Sequence, residues 1–217
     1  IDLHVMGLEA MGAKFELSKE GIRATAKELR GATIELKFPS VGATENILTA
    51  AVLANGVTVI DNAAREPEIV DLCNMLVDMG AAISGIGTDR LSITGVKPNQ
   101  LHSTDHEVVN DRVQAATYIS AVAVTRGDVF VRGARAEHME MLINRFSEMG
   151  VGITPQQDGL HVNCQGRLRA IDFAALSRQE ALHVEMLDVD RLSIDILSNK
   201  RLRNDPKQAR PKMLNEL

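Results

Sequence analysis

The residues best suited to chemistry form one stretch, Phe38-Pro-Ser-Val-Gly-Ala-Thr-Glu-Asn46, which leads directly into an alanine-rich apolar segment. Pro39 and Gly42 are typical of a turn, and Ser40 and Thr44 are candidate N-caps of a following helix. Unpaired N–H groups at a helix start attract anions, because the amides and the helix dipole both favour negative charge. The stretch predicts either an anion-binding loop or an ordinary strand-to-helix turn, and its spacing alone favours the ordinary turn.

The overall composition excludes several classes of protein. The chain has 217 residues, of which 45% are hydrophobic and 24% charged, so it has room for one large domain or two smaller ones. A net charge of -5 argues against a general nucleic-acid binder, which needs a basic face. No apolar run approaches membrane-spanning length, and no signal-peptide pattern opens the chain. We expect a cytoplasmic protein with no nucleic-acid or membrane partner.

A pattern of helix, glycine and two short strands occurs three times. Its Met-Gly pairs fall at residues 11–12, 79–80 and 149–150. In each copy a C-terminal glycine ends an amphipathic helix, and two strands joined by a polar turn follow. The intervals between copies repeat a further helix and strand. One full unit is therefore β-α-β-α-β-β, and we expect both helices to cover one face of a four-stranded mixed sheet, in an α/β (α+β) fold.

About two and a half such units are present. Residues 1–26 supply the end of one unit, residues 32–96 a complete unit and residues 106–166 another. Residues 167–173 resemble the opening strand of a fourth unit, which does not follow. Packing the helices of several units together would hide the sheet faces that a single unit leaves exposed.

The units suggest a domain division. We expect residues 1–105 to belong to a first lobe and residues 106–175 to a second, with a polar crossing between them. Residues 176–217 become irregular and then basic, which predicts a poorly ordered tail. Within it, periodicity does not decide between helix and strand for residues 182–197.

Several other polar residues have ordinary structural explanations. Asp2 is either a helix cap or an acceptor for a ligand N–H, and capping is the default. His4 lies beside an apolar helix, where a histidine usually has a structural role. Glu66 and Glu68 flank Pro67 at a helix start, which suits the helix dipole, although pairs with Arg65 could order the edge of a site.

The second half of the chain offers caps and two thiols. Asn110 or Asp111 is expected to cap the first helix of the last unit. Cys73 and Cys164 lack metal-ligand spacing and a basic neighbourhood, so both are interpreted as reduced core residues and not as nucleophiles. No zinc spacing, Gly-Lys-Ser phosphate loop or Ser-His-Asp arrangement occurs.

Three motifs together resemble the enolpyruvyl transferases that act on UDP-N-acetylglucosamine. They are Pro39-Ser-Val-Gly-Ala-Thr-Glu-Asn-Ile47, Asp61-Asn-Ala-Ala-Arg-Glu-Pro-Glu-Ile-Val-Asp71, and Met79-Gly-Ala followed by Gly85-Ile-Gly-Thr-Asp-Arg90. The resemblance covers residues 1–173. It implies six repeated units in two inside-out barrel lobes, with the active site in the cleft between them. The implied reaction moves the enolpyruvyl group of phosphoenolpyruvate to the 3-hydroxyl of UDP-N-acetylglucosamine, in peptidoglycan synthesis, with no metal or organic cofactor.

The same resemblance implies which residues bind substrate. Asp2 and Leu3 match the family's uridine-pocket strand. The loop that contacts uridine and diphosphate corresponds to Phe38, Pro39, Ser40, Val41 and Gly42. Asp2 can accept from a uracil N–H, and Ser40 with nearby amides can donate to phosphate oxygens.

The family's catalytic groups have no match, so we predict no catalytic residue. Neither Cys73 nor Cys164 corresponds to the reactive cysteine, and no Pro-Thr-Asp motif follows Phe173. Since the chain opens with Ile1, we expect an inactive fragment or a processed chain whose bare helix faces promote self-association. The alternatives are a non-catalytic nucleotide-sugar binding or regulatory protein and, less favoured, a 5-enolpyruvylshikimate-3-phosphate synthase.

Overall fold

The computed structural model describes residues 1–19 and 21–171, which divide into two compact units. Unit one comprises Ile1–Val109, and unit two begins at Asn110. The expected tail at residues 176–217, with its undecided segment at 182–197, lies outside the described residues.

The elements follow the predicted repeat except for two expected strands, near residues 106–110 and at 167–171. Unit one contains α1 (Asp2–Ala10), β1 (Lys14–Ser18), β2 (Gly21–Thr25), β3 (Thr33–Glu35), α2 (Val41–Val52), β4 (Val57–Asp61), α3 (Pro67–Asp78), β5 (Ala82–Ser84) and β6 (Arg90–Thr94). Unit two contains α4 (Arg112–Thr125), β7 (Asp128–Arg132), α5 (Glu140–Met149), β8 (Gly152–Gln156) and β9 (Gly159–Asn163). Short 3-10 turns lie at Pro98–Gln100 and Ala136–His138.

The complete unit of the first half has the expected mixed sheet. Its strand order is β3-β4-β6-β5, with β3 parallel to β4 and the remaining pairs antiparallel. Ile60 in the middle lies between Ile34 and Leu91, and all three are buried. Helices α2 and α3 pack on this sheet and share its hydrophobic core. The strands β1 and β2 form a separate antiparallel hairpin.

The last repeat, predicted at residues 106–166, departs from the prediction at its beginning. The expected first strand near residues 106–110 is not formed, and the sheet has three strands in the order β7-β9-β8. A strand exists only where a neighbour pairs with its backbone. Here Val108 is 72% exposed, and His106 Nε2 lies 3.1 Å from Asp71 Oδ2 on α3. The segment is thus tied to unit one instead of to β7.

The expected opening strand at residues 167–173 is also absent over its described part. Residues 167–171 are irregular, and the link to the preceding helix is a hydrogen bond from Arg169 N to Met149 O of 2.9 Å. Residues 172 and 173 lie outside the described range.

The helix ends confirm the prediction that the glycine of each Met-Gly pair terminates a helix. Gly12, Gly80 and Gly150 have φ angles of 101°, 106° and 97°, which a side chain would disfavour. Pro67 occupies the first turn of α3, where its missing N–H costs nothing. Asp111 caps α4 by accepting from Val113 N at 2.8 Å.

Both cysteines are buried and free, as expected for core residues. Burial raises the pKa of the Cys73 thiol to about 11, so it is protonated at neutral pH. Over the described ranges, no helix combines the length and apolar character that a membrane crossing requires.

Candidate nucleotide-sugar site

The loop that joins β3 to α2 is fixed at its start by the end of β4. Leu36 N donates to Asp61 O at 3.0 Å, and Asn62 Nδ2 donates to Leu36 O at 2.8 Å. Asn62 adopts a left-handed φ of 57°, a conformation that asparagine tolerates better than most residues. Phe38 then lies 42% exposed at the surface. The loop therefore begins from a rigid base and exposes its first side chain.

Ser40 caps α2, as the sequence predicts. Its side-chain oxygen accepts from Ala43 N at 3.4 Å, and its carbonyl accepts from Thr44 N at 2.9 Å. The N–H groups of Val41 and Gly42 belong to the first helical turn and have no intrahelical acceptor. Two amide donors at the positive end of a helix dipole thus remain available to an anion.

Thr44, the other candidate cap, has a different role. Its hydroxyl is buried and accepts from Ala64 N at 3.1 Å. This bond ties the first turn of α2 to the segment between β4 and α3. The Thr44 hydroxyl therefore stabilises the loop from its buried side and does not face solvent.

The expectation of a strand at Asp2 and Leu3 is wrong. Both residues lie in the first turn of α1, whose N-cap position is Ile1 without a side-chain cap bond. Asp2 is therefore not the cap, but its exposed carboxylate still suits the helix start. Leu3 is 9% exposed in the core, so only its backbone could reach a ligand. Helix α1 begins at Asp2, which is closer to the N-terminus than the sequence pattern indicated.

Helix α1 is held closely against α2. A Cβ added to Gly7 would lie 2.2 Å from Ile47 Cδ1, so these helices approach at a position that only glycine permits. One turn earlier, the His4 ring covers Gly42, with Cε1 3.2 Å from the position of a Cβ. Asn46 Nδ2 lies 2.6 Å from His4 Nδ1. The first turns of α1 and α2 are joined at the loop.

This histidine contact is absent from the sequence interpretation. His4 and Asn46 are 42 residues apart, and neither residue carries a spacing signal. The close approach depends on how α1 packs on α2, which local pattern does not encode. The structure therefore adds a titratable side chain to the edge of the loop.

Carboxylates adjoin the same edge. The pKa of Glu45 is raised by partial burial and by the nearby negative charge of Glu68, while His4 lowers it. The proposed charge pairing of Arg65 with Glu66 takes another form, since Glu66 Oε2 accepts from the Arg65 backbone N at 2.8 Å. In residues 1–19 and 21–171, no three His, Cys, Asp or Glu side chains are grouped as a metal site.

Comparison with solved structures defines the class of fold. The enolpyruvyl transferase NikO from Streptomyces tendae superposes with a TM-score of 0.75 at 21% identity, over 91% of this chain and 48% of that one. An EPSP synthase from Acinetobacter baumannii gives a TM-score of 0.56 at 20% identity, over 91% of this chain and 44% of the other. The fold is that of the enolpyruvyl transferases, as the repeat and the motifs predicted.

Sequence comparison defines the family. The family model for EPSP synthase (3-phosphoshikimate 1-carboxyvinyltransferase) matches residues 1–187, and the chain belongs to this family. The UDP-N-acetylglucosamine 1-carboxyvinyltransferase 1 of Staphylococcus aureus is 49% identical over 177 residues, 81% of this chain and 42% of that protein. The corresponding Nocardia farcinica enzyme is 53% identical over 176 residues, 81% of this chain and 41% of that protein. The chain thus spans less than half the length of these curated relatives.

Proposed function

We propose that this chain is part of an enzyme that transfers the enolpyruvyl group of phosphoenolpyruvate to the 3-hydroxyl of UDP-N-acetylglucosamine. Within that enzyme it contributes the contacts to the nucleotide sugar. The reaction is the first committed step of peptidoglycan synthesis and takes place in the cytoplasm. The observation that carries the proposal is the Ser40-capped start of α2, with two unpaired amides, in a chain about half identical to carboxyvinyltransferases of that substrate.

The loop provides the chemistry that a diphosphate requires. The N–H groups of Val41 and Gly42 donate to phosphate oxygens, and the dipole of α2 stabilises the negative charge. Ser40 keeps its hydroxyl oxygen on the helix and can donate its proton outward. Phe38 and Pro39 form the apolar side of the loop, where a nucleoside can pack.

The remaining contacts come from α1. The exposed carboxylate of Asp2 accepts from the uracil N–H, which distinguishes uracil from a base that presents an acceptor there. Leu3 contributes through its backbone, because its side chain is committed to the core. Asp2 and Leu3 thus keep their predicted binding roles, although they lie in a helix and not in the strand that the sequence suggested.

In this proposal the transfer itself uses groups that lie outside residues 1–19 and 21–171. The 3-hydroxyl oxygen forms a bond to C2 of phosphoenolpyruvate, and the C–O bond to phosphate then breaks to release inorganic phosphate. A proton must be given to and removed from C3 of the enolpyruvyl group. Cys73 and Cys164 are buried core thiols, so the chain alone binds the nucleotide sugar without turnover. Catalysis belongs to the longer enzyme.

The two units belong to different lobes of that enzyme in this proposal.

Self-association of the chain is a further expectation, supported by exposed apolar side chains on α4, namely Val113, Tyr118 and Val124. Such a face would pack on other units in a complete lobe, and it favours self-association when the chain is alone.

The binding role can be tested by titrating UDP-N-acetylglucosamine calorimetrically into the wild-type chain and into the double variant Ser40→Ala, Asp2→Ala. We expect the affinity to fall about tenfold or more, since each variant removes a hydrogen bond to a charged or polar group. The matched control is Ser84→Ala with Asp78→Ala, which lie in β5 and at the end of α3. Equal affinity of wild type and the Ser40, Asp2 variant would remove both residues from the site.

A non-catalytic nucleotide-sugar binding protein would give the same titration. Both hypotheses predict no phosphate release from phosphoenolpyruvate and UDP-N-acetylglucosamine by the chain alone, so this assay tests the account of the missing catalytic groups. Sustained turnover would contradict the account of the missing catalytic groups.

A further inference from the structure

Strand β7 has one open edge. It is an outer strand of the β7-β9-β8 sheet, and among the described residues only β9 pairs with it. The corresponding strand of unit one, β4, has a neighbour on both sides, since β3 covers the edge away from β6. An open edge presents unpaired N–H and C=O groups, which are a template for pairing with another chain.

The hydrogen-bond pattern identifies which residues face this edge. Gly133 N, directly after β7, donates at 2.7 Å to the carbonyl of Asp158, directly before β9. In an antiparallel ladder, alternate residues exchange hydrogen bonds with the same neighbour. The odd-numbered residues of β7 therefore bond to β9, whereas Asp128, Phe130 and Arg132 turn their N–H and C=O groups outward.

The sequence of β7 is complementary to its own reversed copy. It reads Asp-Val-Phe-Val-Arg, with a carboxylate at one end, a guanidinium at the other and an aromatic ring in the middle. In an antiparallel pair of two copies centred on Phe130, Asp128 of each copy lies opposite Arg132 of the other. Cross-strand pairs of opposite charge and of aromatic rings are favourable. This register also pairs the outward-facing residues with one another through hydrogen bonds.

The other outer strands lack this property. Antiparallel self-pairing of β1 or β2 about its centre would oppose Glu16 to Glu16 or Arg23 to Arg23, and like charges directly opposite destabilise a pair. Strand β8 carries Pro155, which has no N–H to donate and is typical of a protected edge. Strands β3 and β5 have only three residues each. Among the described strands, β7 therefore combines an open edge with charge complementarity to a second copy.

Apolar side chains beside the edge provide area for such a contact. Val129 is 44% exposed and Phe130 42%, and Tyr118 on α4 is 62% exposed. All three line a groove of about 330 Å³ whose walls come from α4 and β7. A second copy of the same strand and helix, related by a two-fold axis, would cover this surface with its own equivalent.

Both charged ends of β7 have capacity for a further ion pair. His161 Nε2 lies 2.7 Å from Asp128 Oδ1, yet the Asp128 side chain stays 57% exposed. Arg132 is exposed and has no ion pair within residues 1–19 and 21–171. Exposed ion pairs add little affinity, so these charges select direction and register. Backbone hydrogen bonds and apolar area supply the affinity.

We propose that β7 is a self-recognition strand, at which two copies of this chain pair antiparallel about Phe130 and join their three-stranded sheets into one. This goes beyond the expected self-association through α4, because it specifies the strand, its direction and its register. It does not depend on the nucleotide-sugar loop, which lies in unit one. Failure of nucleotide-sugar binding would leave this inference standing, and a monomeric chain would leave the nucleotide-sugar role standing.

Charge reversal tests the register. We expect the full wild-type chain to show a concentration-dependent monomer–dimer equilibrium in sedimentation velocity. Asp128→Lys places an ammonium opposite Arg132, and Arg132→Glu places a carboxylate opposite Asp128, so each variant alone should dimerise at least about tenfold more weakly. An equimolar mixture of the two variants should dimerise as wild type does, because every like-charge pair becomes an opposite-charge pair. A wild-type chain that stays monomeric, or a mixture as weak as its components, would overturn the inference.

Two controls separate the strand edge from other causes. Asp128→Lys also removes the contact with His161, so His161→Gln, which keeps the charges of β7, should dimerise as wild type does. Val124 is 53% exposed in the last turn of α4, and Val124→Ser should also keep the dimer. An equal loss in His161→Gln, or a loss confined to Val124→Ser, would overturn the inference.

Hydrogen exchange locates the contact on the backbone. The amide of Phe130 should be protected at concentrations where wild type is a dimer, and it should exchange freely in Asp128→Lys. The amides of Val129 and Val131 bond to β9 in both states and serve as the internal reference. Phe130→Pro removes the outward N–H and leaves the ladder to β9, so circular dichroism melting should show a folded chain that sediments as a monomer. Equal protection of the Phe130 amide in dimer and monomer would contradict the antiparallel pairing.

Discussion

Replacing Gly95 with alanine is expected to destabilise unit one by about 3 kcal/mol or more, the upper part of the range for overpacked sites. A Cβ at this position would lie 1.6 Å from Ala54 O and 2.8 Å from Ala54 C. These are backbone atoms, which cannot rotate away as a side-chain end could. Gly95 N also donates to Gly56 O at 2.9 Å, so a shift of the chain would cost this bond as well.

Urea unfolding with hydrogen exchange at the amides of β4 and β6 would measure this loss in unit one. Gly166→Ala is the matched control, since no heavy atom lies within 4 Å of its Cβ position. That change should alter the free energy of unfolding by no more than about 0.5 kcal/mol. Equal unfolding midpoints for the Gly95 variant and wild type would mean that the close packing of Gly95 on Ala54 is incorrect.

The second large effect is expected at the contact between α1 and α2. Ile47 is fully buried, so Ile47→Ala should cost about 2–5 kcal/mol through lost burial and the cavity left behind. Gly7→Ala should also destabilise, because its Cβ would lie 2.2 Å from Ile47 Cδ1 and 2.5 Å from Cγ1. Alanine at position 47 removes both of those atoms and makes room for the new methyl group.

The double variant should therefore be more stable than the sum of the single variants predicts. We expect a favourable coupling of about 1–3 kcal/mol, within the range for residues in direct contact. A double-mutant cycle measured by denaturant unfolding gives this number. Leu53→Ala serves as the control, because this side chain is 52% exposed just after α2. Strict additivity of the two substitutions would contradict the described packing of α1 on α2.

Local signals in the sequence were sufficient to predict the repeat and the helix start that follows the loop. Ser40, Pro67 and Asp111 begin helices for reasons that lie within four residues of each, and the structure confirms all three. The glycines after the repeated methionines end helices for an equally local reason. Period and cap chemistry therefore predicted the mixed sheet and the Ser40-capped start of α2.

The errors lie where a distant partner decides the structure. Residues 106–109 have a strand-like sequence, but a strand requires pairing, and the described segment is held to α3 through His106 and Asp71. Asp2 and Leu3 were assigned to a strand by analogy, whereas α1 starts there and packs on α2. The contact of His4 with Asn46 likewise depends on helix packing and has no local signature.

Titration of the wild-type chain with UDP-N-acetylglucosamine and, separately, with shikimate 3-phosphate tests the central claim most directly. A site built from a uracil acceptor at Asp2 and amide donors at Val41 and Gly42 should bind the nucleotide sugar saturably, at one site per chain. Shikimate 3-phosphate offers a phosphate without a uracil and should show no saturable binding at the same concentrations. Tighter binding of shikimate 3-phosphate, or no binding of UDP-N-acetylglucosamine, would contradict the account.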